Sequence, residues 1–378
     1  MRRHFLVLIL PTFFASAAMA AGPKIITFDA PGAGTGPGQG TQGSFVNSAG
    51  TVLGYYFDSN FNYHSFLRTP NGDVITISPP GAGSGAYQGS GGWGMSQASR
   101  IAGDYVDVNC VEHGYILEPG GQFITFEAPG AGTASNPCDY DPWGGLQGTT
   151  VGDMNWAGES AGIVLDANNV WHGLLRAPDG KFTTFEAPGA GNGPFQGTWV
   201  NFGEGLNGLG TATGWYIDEN SATHAYVRTA DGGIATFDGP GEGVQYTAGI
   251  STDWRGATVG PYLDAASLYH GFLRSPQGSF TIIDIPGAGT GAYQGTFPEA
   301  MNDEGFIAGN YIDTQGANHG FVVRPDGTMT KFDAPGAGTG PGQGTVPLCI
   351  GDTGAVTGIS IDANGVMHGF LTEPVGNW

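Results

Sequence analysis

The sequence predicts an all-β fold: a seven-bladed β-propeller with four strands per blade, its ring closed by the N-terminal strand completing the last blade. Three observations carry that prediction. First, an Asp-x5-His pair recurs seven times, as Asp58/His64, Asp107/His113, Asp166/His172, Asp218/His224, Asp264/His270, Asp313/His319 and Asp362/His368. Second, successive histidines lie 49, 59, 52, 46, 49 and 49 residues apart, a period typical of repeat architectures. Third, each period contains four short apolar or β-branched runs separated by turn residues, with no helical periodicity beyond the first twenty residues. A β-helix is the competing repeat fold, but its coils are usually shorter than fifty residues.

Residues 1–20 read as a secretory signal peptide and residues 21–378 as a single propeller domain. Arg2 and Arg3 precede a mostly apolar stretch from Phe5 to Ala18, and Ala18-Met19-Ala20 fits an A-x-A cleavage site. The apolar stretch is too short to span a bilayer, and no later one reaches about 18 residues. The expectation is an exported bacterial protein, secreted or periplasmic, without a membrane span. Formal charge is −21 over the whole chain, and removing Arg2 and Arg3 makes it −23. Such a surface excludes nucleic acid as a partner, because that binding needs clustered Lys and Arg. It also disfavours acidic polysaccharides unless calcium bridges the two. The 70 glycines do not indicate disorder or collagen, since 40% of the chain is hydrophobic and glycine lacks a three-residue period.

The first unit shows the order of elements. KIITFD (Lys24 to Asp29) is a strand, followed by a Gly/Pro-rich loop from Ala30 to Thr41. FVN, the turn SAG and TVLGYYFD follow, then a short loop, HSFLRTP, the turn NG and DVITIS. The last unit stops after HGFLTEP and lacks the fourth strand present elsewhere, while the chain begins with one. Supplying that strand from the N-terminus would remove the free edges of the ring. With strands lettered a to d from the axis outward, the PGAG loops are d–a connections and the Asp-x5-His loops are b–c connections. Both sets share one face, the face expected to bind ligands.

The units HGFLRSPQG, HGFVVRPDG and HGLLRAPDG, preceded by G-x-Y-x-D, resemble the bacterial extracellular HAF repeats and are similar to repeat proteins frequent in acidobacterial genomes. The resemblance covers nearly all of the mature chain. It implies export and a propeller-like β fold, and it implies no activity.

Each motif has a structural reading beside a chemical one. An Asp beside a His could be an acid–base pair or two metal ligands. Seven copies cannot form one active site, so the pairs read as hairpin-fixing contacts, and no metal site is expected. Every histidine except His4 belongs to a repeat, leaving none for a triad or a three-His zinc centre. Six PGAG loops open on an acid (Asp29, Glu127, Glu186, Asp238, Asp284, Asp333), with Ser78 in the remaining one. They do not match a phosphate cradle, which needs G-x-G-x-x-G ahead of a helix. They are glycine-shaped turns, and weak calcium binding is the one cofactor role they suggest. Gly158-Glu159-Ser160-Ala161-Gly162 matches G-x-S-x-G, but it falls inside strand b rather than in a strand–turn–helix elbow.

Departures from the repeat carry more information. The third d–a loop has an insertion at 134–146 that brings Asp139, Tyr140, Asp141 and Trp143 to the loop face. Aromatic faces stack on sugars and carboxylates hydrogen-bond their hydroxyls. In strand a, Trp93, Asp153, Asn201 and Glu299 depart from the consensus and are candidates to line the channel. Cys110 in the second b–c loop and Cys138 in the insertion share a face, so a disulfide is expected between them. Cys349 aligns with Ala300 and reads as a small core residue.

The leading functional expectation is a non-enzymatic extracellular binding or scaffold module for a glycan, envelope component or protein. Tyr140, Trp143 and Trp93 are its candidate ligand contacts. The alternative is a carbohydrate-active enzyme, a glycoside hydrolase ahead of a polysaccharide lyase, with catalytic carboxylates drawn from Asp139, Asp141, Asp153 and Glu299.

Overall fold

The computed structural model describes residues 22–134, 138 and 145–377. The described residues form 29 strands and one short 3-10 turn, Val375–Asn377. In the first unit, strand a (Gly40–Val46) pairs antiparallel with b (Val52–Phe57), b with c (Tyr63–Arg68), and c with d (Val74–Ile77). The same ladder recurs along the chain. The N-terminal strand Ile25–Phe28 pairs antiparallel with the last c strand, Met367–Thr372, in the register Ile25↔Thr372 through Phe28↔Gly369. The result is a closed, all-β, propeller-like ring.

Two features depart from seven separate four-stranded blades. Strand a of the fifth unit is broken into Tyr246–Thr247 and Ser251–Thr252. In addition, each c strand makes a parallel bridge to the first residue of the next a strand, as at Tyr63↔Gly89 and Met367↔Gly40, so all strands join one hydrogen-bonded sheet. The bridge explains the glycine after each loop glutamine except in the fifth unit. Gly40 has φ +118°, and a Cβ there would lie 2.0 Å from the Met367 carbonyl oxygen.

The core lies between neighbouring units. The residue two beyond each repeat histidine is an apolar side chain sealed from solvent: Phe66, Tyr115, Leu174, Tyr226, Phe272, Phe321 and Phe370. Burying each of these side chains contributes roughly 1.5–3 kcal/mol. Phe370 packs with Phe332, Ile350 and Val356 across one junction, and Phe66 with Val46, Val52 and Cys349 across the next. Strand d is the most exposed of each set, as in the pattern of Phe123–Phe126 and Phe182–Phe185.

Candidate functional site

The face carrying the b–c and d–a loops is devoted to tying the chain together. Each loop aspartate accepts two amides through one oxygen: Asp313 Oδ1 accepts from Gln315 N at 2.8 Å and Ala317 N at 2.9 Å. Its other oxygen lies 3.3 Å from His319 Nε2, and His319 Nδ1 lies 2.9 Å from Asp333 of the following loop. The imidazole stacks on Tyr311, ring centroids 5.0 Å apart. Five further histidines sit between two acids in the same way, His113 between Asp107 and Glu127, and His172 between Asp166 and Glu186 among them. His64 has Asp58 alone, because Ser78 replaces the second acid.

All seven six-residue pairs are in contact, from 3.3 Å at Asp313/His319 to 3.9 Å at Asp362/His368, and six of the histidines have a second acid that the spacing did not show. In all but His64 the nearer partner of the imidazole is the acid that opens the next d–a loop. His224 lies 2.7 Å from Asp238 but 3.7 Å from Asp218. His270 lies 2.9 Å from Asp284 and 3.5 Å from Asp264. His368 lies 2.9 Å from Asp29 of the N-terminal segment and 3.9 Å from Asp362, so it helps to close the ring. At 3.5 Å and beyond, the six-residue pair is a charge contact rather than a good hydrogen bond. The reason lies in the register: the aspartate spends its well-aligned oxygen on the hairpin amides, while Nδ1 of the ring faces the end of strand d. The aspartate therefore fixes the hairpin, and the histidine joins that hairpin to the following loop.

The loop threonines accept from the loop amides, as Thr41 Oγ1 does from Ala30 N at 2.9 Å. Among the described residues, no group of three or more His, Cys, Asp or Glu is placed to hold a metal. Cys110 and Cys138 are disulfide-bonded, with Cα atoms 5.3 Å apart. Asp139, Tyr140, Asp141 and Trp143 lie outside the described residues.

The opposite face, formed by the a–b turns, holds a cavity of about 690 Å³ lined by residues from every unit. Sequence reading placed the ligand face on the loop-rich side, and this cavity opens on the other one. Six of the seven a–b turns open on a residue whose side chain folds back on its own backbone; the seventh opens on Gly351. Asn47, Asn155, Asn207, Asp253 and Asn302 each accept two amides this way, and Ser96 accepts one. The same residues also link the turns into a belt. Asn155 Nδ2 donates to Asn207 O (3.0 Å), Asn207 Nδ2 to Asp253 O (2.7 Å) and Asn302 Nδ2 to Gly351 O (3.1 Å). Asp253 has no amide to donate, and there Trp254 N donates to Asp303 Oδ1 at 2.9 Å.

The next position in each turn is the variable one: Ser48, Gln97, Trp156, Gly208, Trp254, Asp303 and Asp352. These tips ring the mouth. Trp156 lines the cavity and is 56% exposed; Trp254 is not a lining residue, but its backbone N bonds the rim residue Asp303 and its side chain is 47% exposed. Gly208 makes room for Trp156, since a Cβ there would overlap the indole nitrogen. The Arg255 guanidinium lies over the Trp254 ring at 4.6 Å and is paired with Asp253.

The floor comes from the fourth unit. There eleven positions separate the loop glutamine (Gln196) from the turn residue (Asn207), whereas Gln294 and Asn302 are eight apart. The three extra residues let 201–205 loop inward and plug the ring. Phe202 packs on Trp199 and on Trp93 of the second unit, with centroids 5.1 and 5.8 Å away. Gly203 N donates to Gly152 O at 2.6 Å. Glu204 reaches across to hydrogen-bond the Cys349 thiol of the seventh unit. The signal for this plug was the 52-residue histidine interval.

The sequence-predicted strand residues separate into distinct roles. Asp153 is buried, and burial pushes its pKa up to about 7 even though Leu206 N and Met154 N donate to its oxygens at 2.8 and 2.6 Å. It therefore ties the plug to strand a of the third unit. Asn201 Nδ2 donates to Ile250 O at 2.7 Å and anchors the plug on its other side. Trp93 is enclosed within the ring. Its Nε1 donates to Asp104 at 2.6 Å, and its ring packs on Tyr55. Glu299 occupies the bulge of Gly295–Met301 and points into the ring interior, where burial raises its pKa to about 8. Sequence reading missed the buried Asp104, whose carboxyl is pushed up by burial and by its neighbour Glu112. It also missed Glu204, Asp303, Asp352 and both rim tryptophans.

No protein-family model and no curated protein matches the chain. Among solved structures it resembles a puromycin hydrolase mutant complex, with 12% identity over 91% of this chain and 53% of that one and a TM-score of 0.52. The chain thus spans about half the length of the hydrolase. Lower similarity is found to the BP39L lectin of Burkholderia pseudomallei (10% identity, 89% and 97% coverage, TM-score 0.45). AofleA of Arthrobotrys oligospora is similar at 9% identity, 84% and 92% coverage and a TM-score of 0.44. At these identities the hydrolase likeness speaks to fold alone.

Proposed function

We propose that the protein is an exported seven-bladed β-propeller of the HAF-repeat kind that binds carbohydrate without turning it over, and that the ligand seats in the axial cavity of the a–b face. The observation that carries this reading is the mouth itself. Hydrogen bonds tie the turns of the second to seventh units to one another, and six of the seven variable tips line the cavity. Two tips are exposed indoles and two are carboxylates, beside a cavity of drug-ligand size. Indole faces stack on sugar rings, and the acids and amides supply hydrogen bonds to hydroxyls. Rigid placement keeps the entropic cost of binding low.

A glycosidase reading draws on the raised pKa of Asp153. Both its oxygens, however, accept backbone amides, so it serves better as a tie than as a proton donor to substrate. Titrating oligosaccharides against tryptophan fluorescence tests the binding reading. Binding that weakens about tenfold in Trp156→Ala and in Trp254→Ala is expected. Product formation abolished by Asp153→Asn would replace it with the enzyme reading.

A further inference from the structure

The chemistry of the cavity wall narrows the ligand class. Four carboxylates line it: Asp153 and Glu204 near the floor, Asp303 and Asp352 at the rim. Among the described residues no lysine or arginine lines it, and the two arginines on the a–b turns are already held, Arg100 by Glu118 and Arg255 by Asp253 and the Trp254 ring. Glu204 stands at the centre of this arrangement because the plug carries it across the ring. Burial raises its pKa well above the usual carboxylate value, although the Cys349 thiol donates to it. The charges of Asp153, Asp352 and Asp303 push it further the same way. Asp303 is raised by burial and then by Asp352 and Asp253, although Trp254 N donates to it. Glu204 and Asp303 therefore feel the other carboxylates across the cavity, and the one cation that relieves either of them is Arg255, which acts on Asp303. Crowding makes these acids hold protons; a nearby ammonium would favour their ionised forms and pair with them, a neutral sugar would not, and a uronate would oppose ionisation further.

We propose, resting on the binding reading above, that the ligand is a cationic amino sugar: an oligosaccharide with free protonated amines whose rings stack on Trp156 and Trp254 while an ammonium points toward Glu204 and Asp303. The indoles serve twice here, because an aromatic face attracts a cation as well as a sugar C–H face.

The test compares three pentasaccharides of matched length: β-1,4-glucosamine, its fully N-acetylated form, and galacturonate. Binding to the full chain is measured by calorimetry and tryptophan quenching, in EDTA so that no divalent ion bridges. The free-amine form should bind at least about tenfold more tightly than the acetylated form, the difference expected of one well-placed charge pair. Galacturonate should not bind. Glu204→Gln and, separately, the rim variant Asp303→Asn should bring the two glucosamine forms toward parity, weakening the free-amine form at least about fivefold more than the acetylated one. The rim variant keeps the test decisive if the interior one fails to fold. Equal affinity for both forms in the unaltered protein would overturn the amine proposal and leave carbohydrate binding standing. Silence with all three sugars would overturn both.

Discussion

The thiol of Cys349, in the seventh unit, hydrogen-bonds the carboxyl of Glu204, on the plug of the fourth. This contact crosses the ring and fixes the floor of the cavity. Cys349 Sγ also accepts from Val46 N of the first unit at 3.3 Å, so one small side chain joins three units. Cys349→Ala should leave Glu204 enclosed without its donor and cost about 1–3 kcal/mol. Denaturant melts of the two proteins check this. An unchanged midpoint would mean that the plug is held by Phe202 and Asp153 alone.

The disulfide makes a separable prediction. It closes a segment of 28 residues on the loop-rich face, far from the a–b cavity. On the chain-entropy view, cross-linking such a loop is worth about 3.5 kcal/mol. The Cys110→Ser/Cys138→Ser pair should lower Tm while leaving oligosaccharide affinity unchanged. A loss of binding in this variant would place the ligand on the insertion face, as the sequence first suggested.

That contrast shows what the sequence made legible. The repeat period, the strand order, the pairing of IITFD with the last unit and the placement of Cys110 near Cys138 all follow from spacing and turn chemistry. The partner of each repeat histidine was legible only in part: spacing pointed to Asp218 for His224, whereas the closer acid, Asp238, stands 14 residues downstream, across the c–d pairing. The candidate site was legible only in part: Asp153 was among the residues expected to line the channel and does line the cavity, while the rest of the lining was missed. In Gly295–Met301 a bulge at Glu299 shifts the register between Pro298 and Ala300, so strict alternation misassigns every later side chain. The plug was visible only as three extra residues in a 52-residue interval. Trp156 and Trp254 sat in turns whose neighbours read as ordinary loop residues. What distinguishes them is variation at one turn position around seven copies.

The histidines of the second and third units predict a pH dependence. Burial opposes charge on His113, but its hydrogen bond to Glu127 and the charges of Glu127 and Asp107 outweigh that and raise its pKa. In His172 the bond to Glu186 is the largest influence and acts the same way. Each folded-state pKa thus lies above the unfolded value near 6.5, and the folded protein binds more protons. The stabilisation is full below about pH 6.5 and is lost as pH rises through the folded pKa. The acids are partly exposed and screened, so the effect on Tm should be about 1–2 °C. Tm followed from pH 6 to 8.5 should fall less steeply in Glu127→Gln/Glu186→Gln than in the unaltered protein. Identical slopes would remove these pairs as the cause.

Glu299 gives the opposite test, in which removing a charge helps. Its carboxyl faces the ring interior, its pKa is raised to about 8 by burial alone, and it makes no hydrogen bond among the described residues. The folded state favours the neutral acid, so its contribution is intact below the unfolded pKa near 4.5 and declines until pH passes about 8. Glu299→Gln has the same shape and no charge. At pH 5 the variant and the unaltered protein should melt within about 1 °C of each other. At pH 8.5 the variant should be more stable by about 1–3 kcal/mol, a discount on the full shift for the part of the carboxyl that borders channel space. If Glu299→Gln instead destabilises at high pH, the carboxylate has a partner there, and a cation drawn into the ring would be the first candidate to seek.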